Sequence, residues 1–142
     1  AIIGTGMAAK PHALALNELK DDINVVGVFS RNKEKRESFS KNYNFNTFQD
    51  VDSIYNNPEI EMVDIITPPN QRLELVEQFS KNGKHILMEK PIERTLDNAK
   101  NIKNQFVEKK NQTFFAFWTF PKWSEDHRCD YYDQHHSSSS MR

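Results

Sequence analysis

An acid, a base and a proline stand together at the end of an apolar stretch, as Glu89-Lys90-Pro91 in the run HILMEKPIERT. The residues before them have the composition of a short buried strand. A lysine held partly desolvated at such a strand exit would release its proton more easily than one in water, and it could then assist proton transfer from an alcohol. Pro91 removes a backbone donor and constrains the path of the chain. The alternative is that Lys90 is a surface lysine at a strand end.

A second chemical pattern lies near the start of the chain, where Gly4, Gly6 and Ala9 have the G-x-G-x-x-A spacing between a strand and a helix. Gly4 allows a tight turn, Gly6 lets the backbone approach a pyrophosphate, and Ala9 is small where the helix meets the sheet. The free N–H groups of the helix N-terminus would bind the phosphates. We predict a dinucleotide site that also includes Met7, and a turn that binds nothing is the alternative. We expect His12 to be a structural histidine.

The end of the second predicted strand indicates which dinucleotide is preferred. An acid there binds the ribose 2′-hydroxyl of NAD, whereas an arginine accommodates the 2′-phosphate of NADP. This chain has Ser30-Arg31, followed a turn later by Lys35. A hydroxyl and a guanidinium would bind a phosphate, so we predict that NADP(H) is preferred and NAD(H) is possible. The alternative is a solvated helix face, which we expect for Lys33 and Arg36.

The elements that must position these residues alternate along the chain. Near-continuous apolar strands that alternate with helices predict a doubly wound, parallel-sheet α/β domain of the Rossmann type. Strands are predicted at residues 1–4, 23–30, 46–50, 61–67, 85–89 and 113–118, and helices at 5–20, 31–44, 51–55, 70–83 and 95–110. The predicted domain covers residues 1–118, and residues 119–142 are predicted to be an irregular tail.

The strand ends place the candidate site. Gly4, Ser30, Thr67 and Glu89 each end a predicted strand, and ligands of open α/β sheets bind at the carboxyl ends of the strands. We therefore expect these four residues to share one rim.

Apolar spacing predicts which helix residues pack inward. The first helix has Leu14, Leu16 and Leu19 as its apolar residues. The last helix begins after Thr95, a plausible N-cap, and the spacing places four of its residues on one face: Leu96, Ala99, Ile102 and Phe106.

Composition excludes several classes of partner. The 142 residues include 19 basic and 20 acidic side chains, a balance that favours neither nucleic acid nor an anionic membrane surface. The single Cys129 excludes an internal disulfide framework and is consistent with a reducing compartment, so we expect a cytoplasmic protein. Three histidines near Cys129 match no standard metal-site spacing, and no metal is predicted: His127, His135 and His136.

Four segments, GTGMAAKPH, VVGVFSRNKEK, VDIITPP and GKHILMEKPI, resemble the glucose–fructose oxidoreductase / inositol dehydrogenase (Gfo/Idh/MocA) family in order and spacing. The resemblance runs from residue 1 to about residue 118. It implies an N-terminal Rossmann domain, a C-terminal domain built on an open sheet, and hydride transfer between a nicotinamide and a carbon of a sugar, polyol or related alcohol. Intact members are often homo-oligomers.

The resemblance also implies roles for individual residues. Lys90 would contact the nicotinamide ribose and the substrate hydroxyl, and Glu89 would position cofactor and lysine. The Lys90–Pro91 peptide bond is a candidate cis bond, and Thr67 and Pro68 would border the nicotinamide. Where the family often has histidine, this chain has Arg72, which cannot act as a neutral acceptor. We expect Arg72 to be a surface residue in the first turn of a helix.

The similarity ends after Trp118. The family's C-terminal domain is absent from this sequence, and with it the second-domain residue that usually joins the lysine, so we expect a truncated or frame-shifted reading. We expect the chain as given to bind dinucleotide and to turn over nothing. A stand-alone dinucleotide-binding module and a structural remnant that binds nothing remain as alternatives.

Overall fold

Five parallel strands form one sheet in this computed structural model, which describes the backbone of residues 1–107 and 113–116 and the side chains of residues 1–104. The strands are β1 (Ile2–Ile3), β2 (Val28–Phe29), β3 (Met62–Ile65), β4 (His85–Glu89) and β5 (Thr113–Ala116). The helices are α1 (Ala9–Glu18), α2 (Lys33–Tyr43), α3 (Asp52–Tyr55), α4 (Arg72–Lys81) and α5 (Leu96–Val107), with a short 3-10 helix at Pro69–Gln71. The predicted alternation of strands and helices is confirmed.

The strand order is β2-β1-β3-β4-β5, and every pair is parallel. After β1 the chain moves to one side of it to form β2 and then crosses to the other side to form β3. The order therefore reverses between β1 and β3, and the carboxyl ends of these strands form the crevice in which doubly wound sheets bind ligands.

Most strands are shorter than the sequence predicts. β1 covers Ile2–Ile3 rather than residues 1–4, β3 covers Met62–Ile65 rather than 61–67, and two further segments differ more. The apolar run over residues 23–30 forms a strand only at Val28–Phe29, because β2 pairs with a β1 that is itself two residues long. The strand predicted at 46–50 is reduced to a single parallel bridge between Val28 and Thr47. Backbone hydrogen bonds from Val28 to Asn46 and from Phe48 to Val28 keep this segment beside β2.

Helix α1 packs on the sheet through alanines rather than leucines. Ala9 and Ala13 are fully buried against Ile2 and Val28, whereas Leu14 and Leu19 are exposed. Leu16 is partly buried and packs against the same cluster, so the prediction is right for Leu16 and wrong for Leu14 and Leu19. Small side chains at Ala9 and Ala13 let the helix backbone approach the sheet closely.

The remaining helices agree more closely with the sequence. Thr95 Oγ1 accepts a hydrogen bond from the Asn98 N–H at 3.3 Å, which confirms the predicted N-cap of α5. Ile102 is buried on the inner face of this helix, but Leu96 is 69% exposed because it lies at the first residue of the helix, outside the packed turns. Phe106 lies outside the described side chains.

The predicted tail, with its cysteine and three histidines, lies outside the described residues. Within the part of the chain that is described, no helix is long and apolar enough to cross a membrane. The same residues contain no cluster of three or more histidine, cysteine or acidic side chains that could hold a metal ion.

Candidate dinucleotide site

A cleft of about 730 Å³ opens at the carboxyl ends of β1, β2 and β3. It lies at the point where the strand order reverses, as expected for a doubly wound sheet. Seven of the predicted site residues line it: Gly4, Gly6, Ser30, Arg31, Lys35, Thr67 and Pro68.

The two glycines of the turn meet different constraints. Gly4 has a φ of +110°, and a Cβ added there would lie 3.0 Å from the backbone carbon of Ile66. Only glycine therefore fits where β1 passes β3. Gly6 has no neighbouring atom within 4 Å of an added Cβ, so the space beside it is open to a ligand.

The N-terminus of α1 is free to receive an anion. Its N-cap residue is Ala8, which has no capping side chain, and the first turn contains no acidic residue. The first N–H groups of a helix carry a partial positive charge and need an acceptor. A phosphate group satisfies both requirements.

Two threonines in the cleft wall have polar atoms without partners. Among the described side chains, Thr5 Oγ1 and Thr67 Oγ1 are buried and make no hydrogen bond. Buried hydroxyls are usually paired with protein, water or ligand. Together with the open space at Gly6 and the uncapped helix, these hydroxyls fit a polar, phosphate-bearing cofactor.

The β2 side of the cleft is basic. Arg31 and Lys35 are exposed and line the cleft. Asn32 is the N-cap of α2, and its side chain accepts a hydrogen bond from the Lys35 N–H at 2.7 Å. Arg31 directly precedes this cap, and Lys35 lies in the first turn of α2.

Arg36 contradicts its predicted place on a solvated helix face. It is buried, donates from Nη1 to the Ser30 carbonyl at 2.8 Å and from Nη2 to Gln49 Oε1 at 3.0 Å, and lies over the Phe29 ring. Lys33, in contrast, is exposed as predicted and pairs loosely with Glu37. Arg36 therefore holds the end of β2 through the Ser30 carbonyl, and Arg31 remains exposed on the cleft side.

Other polar residues of the cleft were not predicted, among them Asn32, Tyr55, Gln71 and Glu74. Burial, with Asp52 and Glu74 nearby, raises the pKa of Tyr55 to about 12, so its phenol stays protonated at neutral pH. Asn32 could have been found as an N-cap before the polar helix. Tyr55 and Glu74 gave no sequence signal, because α3 and α4 meet the cleft only through the tertiary packing.

The Glu89 side chain stabilises the Glu89-Lys90-Pro91 segment at the end of β4. Glu89 is buried, and its Oε2 accepts a hydrogen bond from the Lys90 N–H at 3.0 Å. The Lys90–Pro91 peptide bond is cis, as the resemblance implies. The Lys90 side chain is exposed, so any desolvation of its ammonium must come from what binds against it.

Arg72 was wrongly predicted to be a surface residue. Only 3% of it is exposed, and its guanidinium donates to three backbone carbonyls. Nε bonds the Thr67 carbonyl at 2.8 Å, and Nη1 bonds the carbonyls of Glu89 and Pro91. One side chain thus joins the end of β3 to the exit of β4.

His12 contacts two buried acids from different strands. Its Nδ1 lies 2.7 Å from Asp64 Oδ2 in β3, and its Nε2 lies 3.1 Å from Glu89 Oε1 in β4. The hydrogen bond to Asp64 is the largest cause that raises the pKa of His12 to about 9, and burial opposes the rise. The sequence signal for this contact was Asp64 itself, an acid inside an otherwise apolar strand that needs a buried partner.

Some predicted site residues stand apart from the cleft wall. Glu89 ends β4 and Lys90 follows it, and neither residue lines the cleft. Met7 is 98% exposed, while Ala9 is buried between α1 and the sheet. Ala9 therefore acts through packing, and Met7 lies on the surface of the turn.

The topology, the glycine turn and the Glu-Lys-Pro strand exit together define a Rossmann domain of the dehydrogenase type. Residues 1–117 match the model of the Gfo/Idh/MocA oxidoreductase family, described as having an NAD-binding Rossmann fold, and the chain belongs to this family.

Relatives with known names support this assignment. The glucose-6-phosphate 3-dehydrogenase of Bacillus subtilis is 33% identical over 105 residues, which cover 72% of this chain and 29% of that protein. The structure of levoglucosan dehydrogenase with NADH and levoglucosan superposes with a TM-score of 0.74 at 28% identity, over 81% of this chain and 33% of that one.

A third similar structure is a protein from Desulfitobacterium hafniense assigned as an NADPH-dependent oxidoreductase. It has a TM-score of 0.73 and 32% identity over 81% of this chain and 33% of that one. The chain spans about a third of the length of the curated relatives it matches.

Proposed function

We propose that this chain is the cofactor lobe of an oxidoreductase that prefers NADP(H) and moves a hydride between the nicotinamide and a carbon of a sugar, polyol or related alcohol. The observation that carries the cofactor preference is the pair of exposed cations, Arg31 and Lys35, on the β2 side of the cleft. The domain would extend to about residue 118.

Charge at the end of β2 supports a phosphate ligand. The residues that follow this strand into the cleft are Ser30, Arg31 and Asn32, none of which is acidic. Of the described residues that line the cleft, the one carboxylate is Glu74, on α4. An acid at the end of β2 would repel a 2′-phosphate, whereas Arg31 could donate two hydrogen bonds to it.

Binding of NADPH and NADH to the wild-type chain and to Arg31→Ala, measured by titration calorimetry, tests this preference. Loss of a charge-assisted contact at an exposed site costs about 1.4 kcal/mol, so we expect Arg31→Ala to bind NADPH about tenfold more weakly. Its affinity for NADH should change little, because NADH has no phosphate on the 2′-oxygen.

Lys33→Ala is the matched control, because Lys33 is an exposed cation two residues after Arg31 that does not line the cleft. It should leave both affinities unchanged. Equal wild-type affinities for NADH and NADPH would refute the preference, and so would an unaltered NADPH affinity in Arg31→Ala.

We assign the proton-transfer role to Lys90. The nicotinamide, when bound, supplies the hydride acceptor. Lys90 stands at the exit of β4, where the Glu89 carboxylate holds its N–H and Arg72 holds the carbonyls on both sides. Once its ammonium has given up a proton, a lysine placed here can accept the hydroxyl proton while the hydride leaves the carbon that bears this hydroxyl.

Lys90→Ala in a complete two-domain enzyme tests that role. General acid–base assistance contributes on the order of a hundredfold or more, so kcat should fall by at least that factor. NADPH affinity should fall far less than kcat, because Lys90 would contribute a ribose contact while the predicted phosphate contacts come from other residues. Wild-type turnover in Lys90→Ala would remove Lys90 from the mechanism.

A further inference from the structure

The contact between His12 and its two acids links three elements of the domain. Asp64 and Glu89 lie on β3 and β4, which are neighbours in the sheet, and His12 reaches both from α1. All three side chains are more than nine-tenths buried. Within the described residues, the other oxygen of Asp64 has no hydrogen-bond partner, so its carboxylate depends on His12.

Each nitrogen of the His12 ring faces a carboxyl oxygen, which favours a proton on both nitrogens. A neutral imidazole has one N–H, and its other nitrogen would present a lone pair to a carboxylate oxygen. An imidazolium donates from both nitrogens and places one positive charge between two buried negative ones. Buried carboxylates without such a partner are costly, so the three groups stabilise one another.

The same contact extends to the catalytic strand exit. Glu89 Oε1 faces His12, and Glu89 Oε2 accepts the hydrogen bond from the Lys90 N–H. His12 therefore fixes one oxygen of a carboxylate whose other oxygen fixes the backbone of Lys90. The helix that carries His12 begins at the glycine turn.

We propose that His12 is a positioning residue, which bridges Asp64 and Glu89 as an imidazolium and thereby holds the Lys90 backbone in place relative to the glycine-turn helix. The bridge stands on the contacts alone. Its importance for catalysis rests on the proposed function, in which Lys90 transfers the proton.

Nuclear magnetic resonance of the full chain, labelled with ¹⁵N in imidazole rings and backbone amides, tests the bridge. The charged groups around His12 are Asp64 from β3, Glu89 from β4, Arg72 from α4 at the Glu89 carbonyl, and the neighbouring Lys90. We expect both ring nitrogens of His12 to be protonated at neutral pH and to titrate near 9.

The Lys90 amide resonance provides the readout of positioning. It should shift with the same midpoint as the His12 ring, because the Glu89 carboxylate responds to the loss of the His12 proton. His12→Gln should abolish this transition, although the Lys90 side chain is retained in that variant. Lys10→Gln, which removes an exposed cation from the same helix, should leave the transition unchanged.

Glu89→Gln provides a second test if His12→Gln does not fold, because it retains the shape of Glu89 and the contact between His12 and Asp64. In this variant His12 should titrate at lower pH, and the Lys90 amide should no longer follow it. A wild-type His12 that titrates near its ordinary value of 6.5 would overturn the proposal. So would a Lys90 amide that still follows His12 in Glu89→Gln.

A measurement of NADPH binding distinguishes failure of the His12 bridge from failure of the proposed function. A chain that shows the shared titration but binds no NADPH would contradict the proposed function and support the bridge. A chain that binds NADPH but shows no shared titration would contradict the bridge alone.

Discussion

Two buried arginines, Arg36 and Arg72, hold the backbone at opposite sides of the cleft. Arg36 donates to the carbonyl of Ser30 at the end of β2, and Arg72 donates to the carbonyls around the ends of β3 and β4. Arginine suits this task because its planar fork offers several donors in fixed directions and remains charged when buried. The buried guanidinium groups therefore hold the backbone of the loops that would contact a cofactor. The groups of these loops that face the cleft stay available for the cofactor.

Arg72→Ala should destabilise the domain by about 3 kcal/mol, because three carbonyls lose a donor in a buried site. Arg72→Lys should fall between the wild type and alanine, since one ammonium cannot reproduce the fork. Chemical denaturation of both variants measures these differences. Arg94→Ala, an exposed arginine after the strand exit, is the control and should stay within about 0.5 kcal/mol of wild type. A comparably small effect of Arg72→Ala would show that the hydrogen bonds from Arg72 to the three carbonyls do not stabilise the domain.

Neither arginine could be recognised from the sequence. Both lie in the first or second turn of a helix among polar residues, where a solvated position is the usual interpretation. A long side chain can bury its guanidinium by reaching back to carbonyls at a strand end, and no periodic pattern reveals that. His12 was correctly expected to be structural, but its partners lie 52 and 77 residues away in the sequence, beyond the reach of local spacing.

At the scale of elements, the order of strands and helices was predictable while the lengths were not. Apolar runs identify β3 and β4 well, because these strands are buried on both faces and pair with neighbours along their length. The run before Ser30 is equally apolar, yet β2 is limited by the two residues of β1 beside it. Pairing partners, which are not visible in a single strand's sequence, set the length of an edge element.

The glycine turn allows a matched pair of substitutions within one element. Gly4→Ala should destabilise the domain by about 3 kcal/mol, because it combines a φ of +110° with an added carbon 3.0 Å from the Ile66 backbone. Thermal and urea unfolding would measure this loss. Gly6→Ala should leave stability within about 0.5 kcal/mol of wild type, since its Cβ meets no protein atom within 4 Å.

Cofactor binding should be affected in Gly6→Ala, the variant of this pair that keeps its stability. Gly6→Ala places a methyl group where the proposed pyrophosphate approaches the backbone, so we expect its affinity for NADPH to fall at least tenfold. Calorimetric titration would detect the loss. An unaltered affinity in folded Gly6→Ala would show that the phosphates do not bind over this residue.

Across the whole molecule, the cleft and the strand exit depend on one sheet whose order reverses between β1 and β3. The fold class was predictable because the alternation of apolar strands and helices spans the described chain. The side-chain contacts that join β3, β4 and α1 were not, because they are made by Asp64, Glu89 and His12, which only the sheet order brings together.

The buried histidine should make the stability of the domain depend on pH. The pKa of His12 is raised from 6.5 to about 9, first by its hydrogen bond to Asp64. A group whose pKa is higher in the folded state binds its proton more tightly there, so the unfolded state releases it first as the pH rises. The contribution of His12 to the free energy of unfolding should thus be fully present below pH 6.5. It should decline between pH 6.5 and pH 9 and be lost above pH 9.

Urea unfolding of wild type and His12→Gln over this pH range would measure the contribution as the difference between their free energies of unfolding. The difference should be largest just below pH 6.5 and shrink steadily as the pH approaches 9. A difference that stays constant with pH would mean that His12 has the same pKa in the folded and unfolded chains, and that Asp64 and Glu89 are held together by something other than its charge.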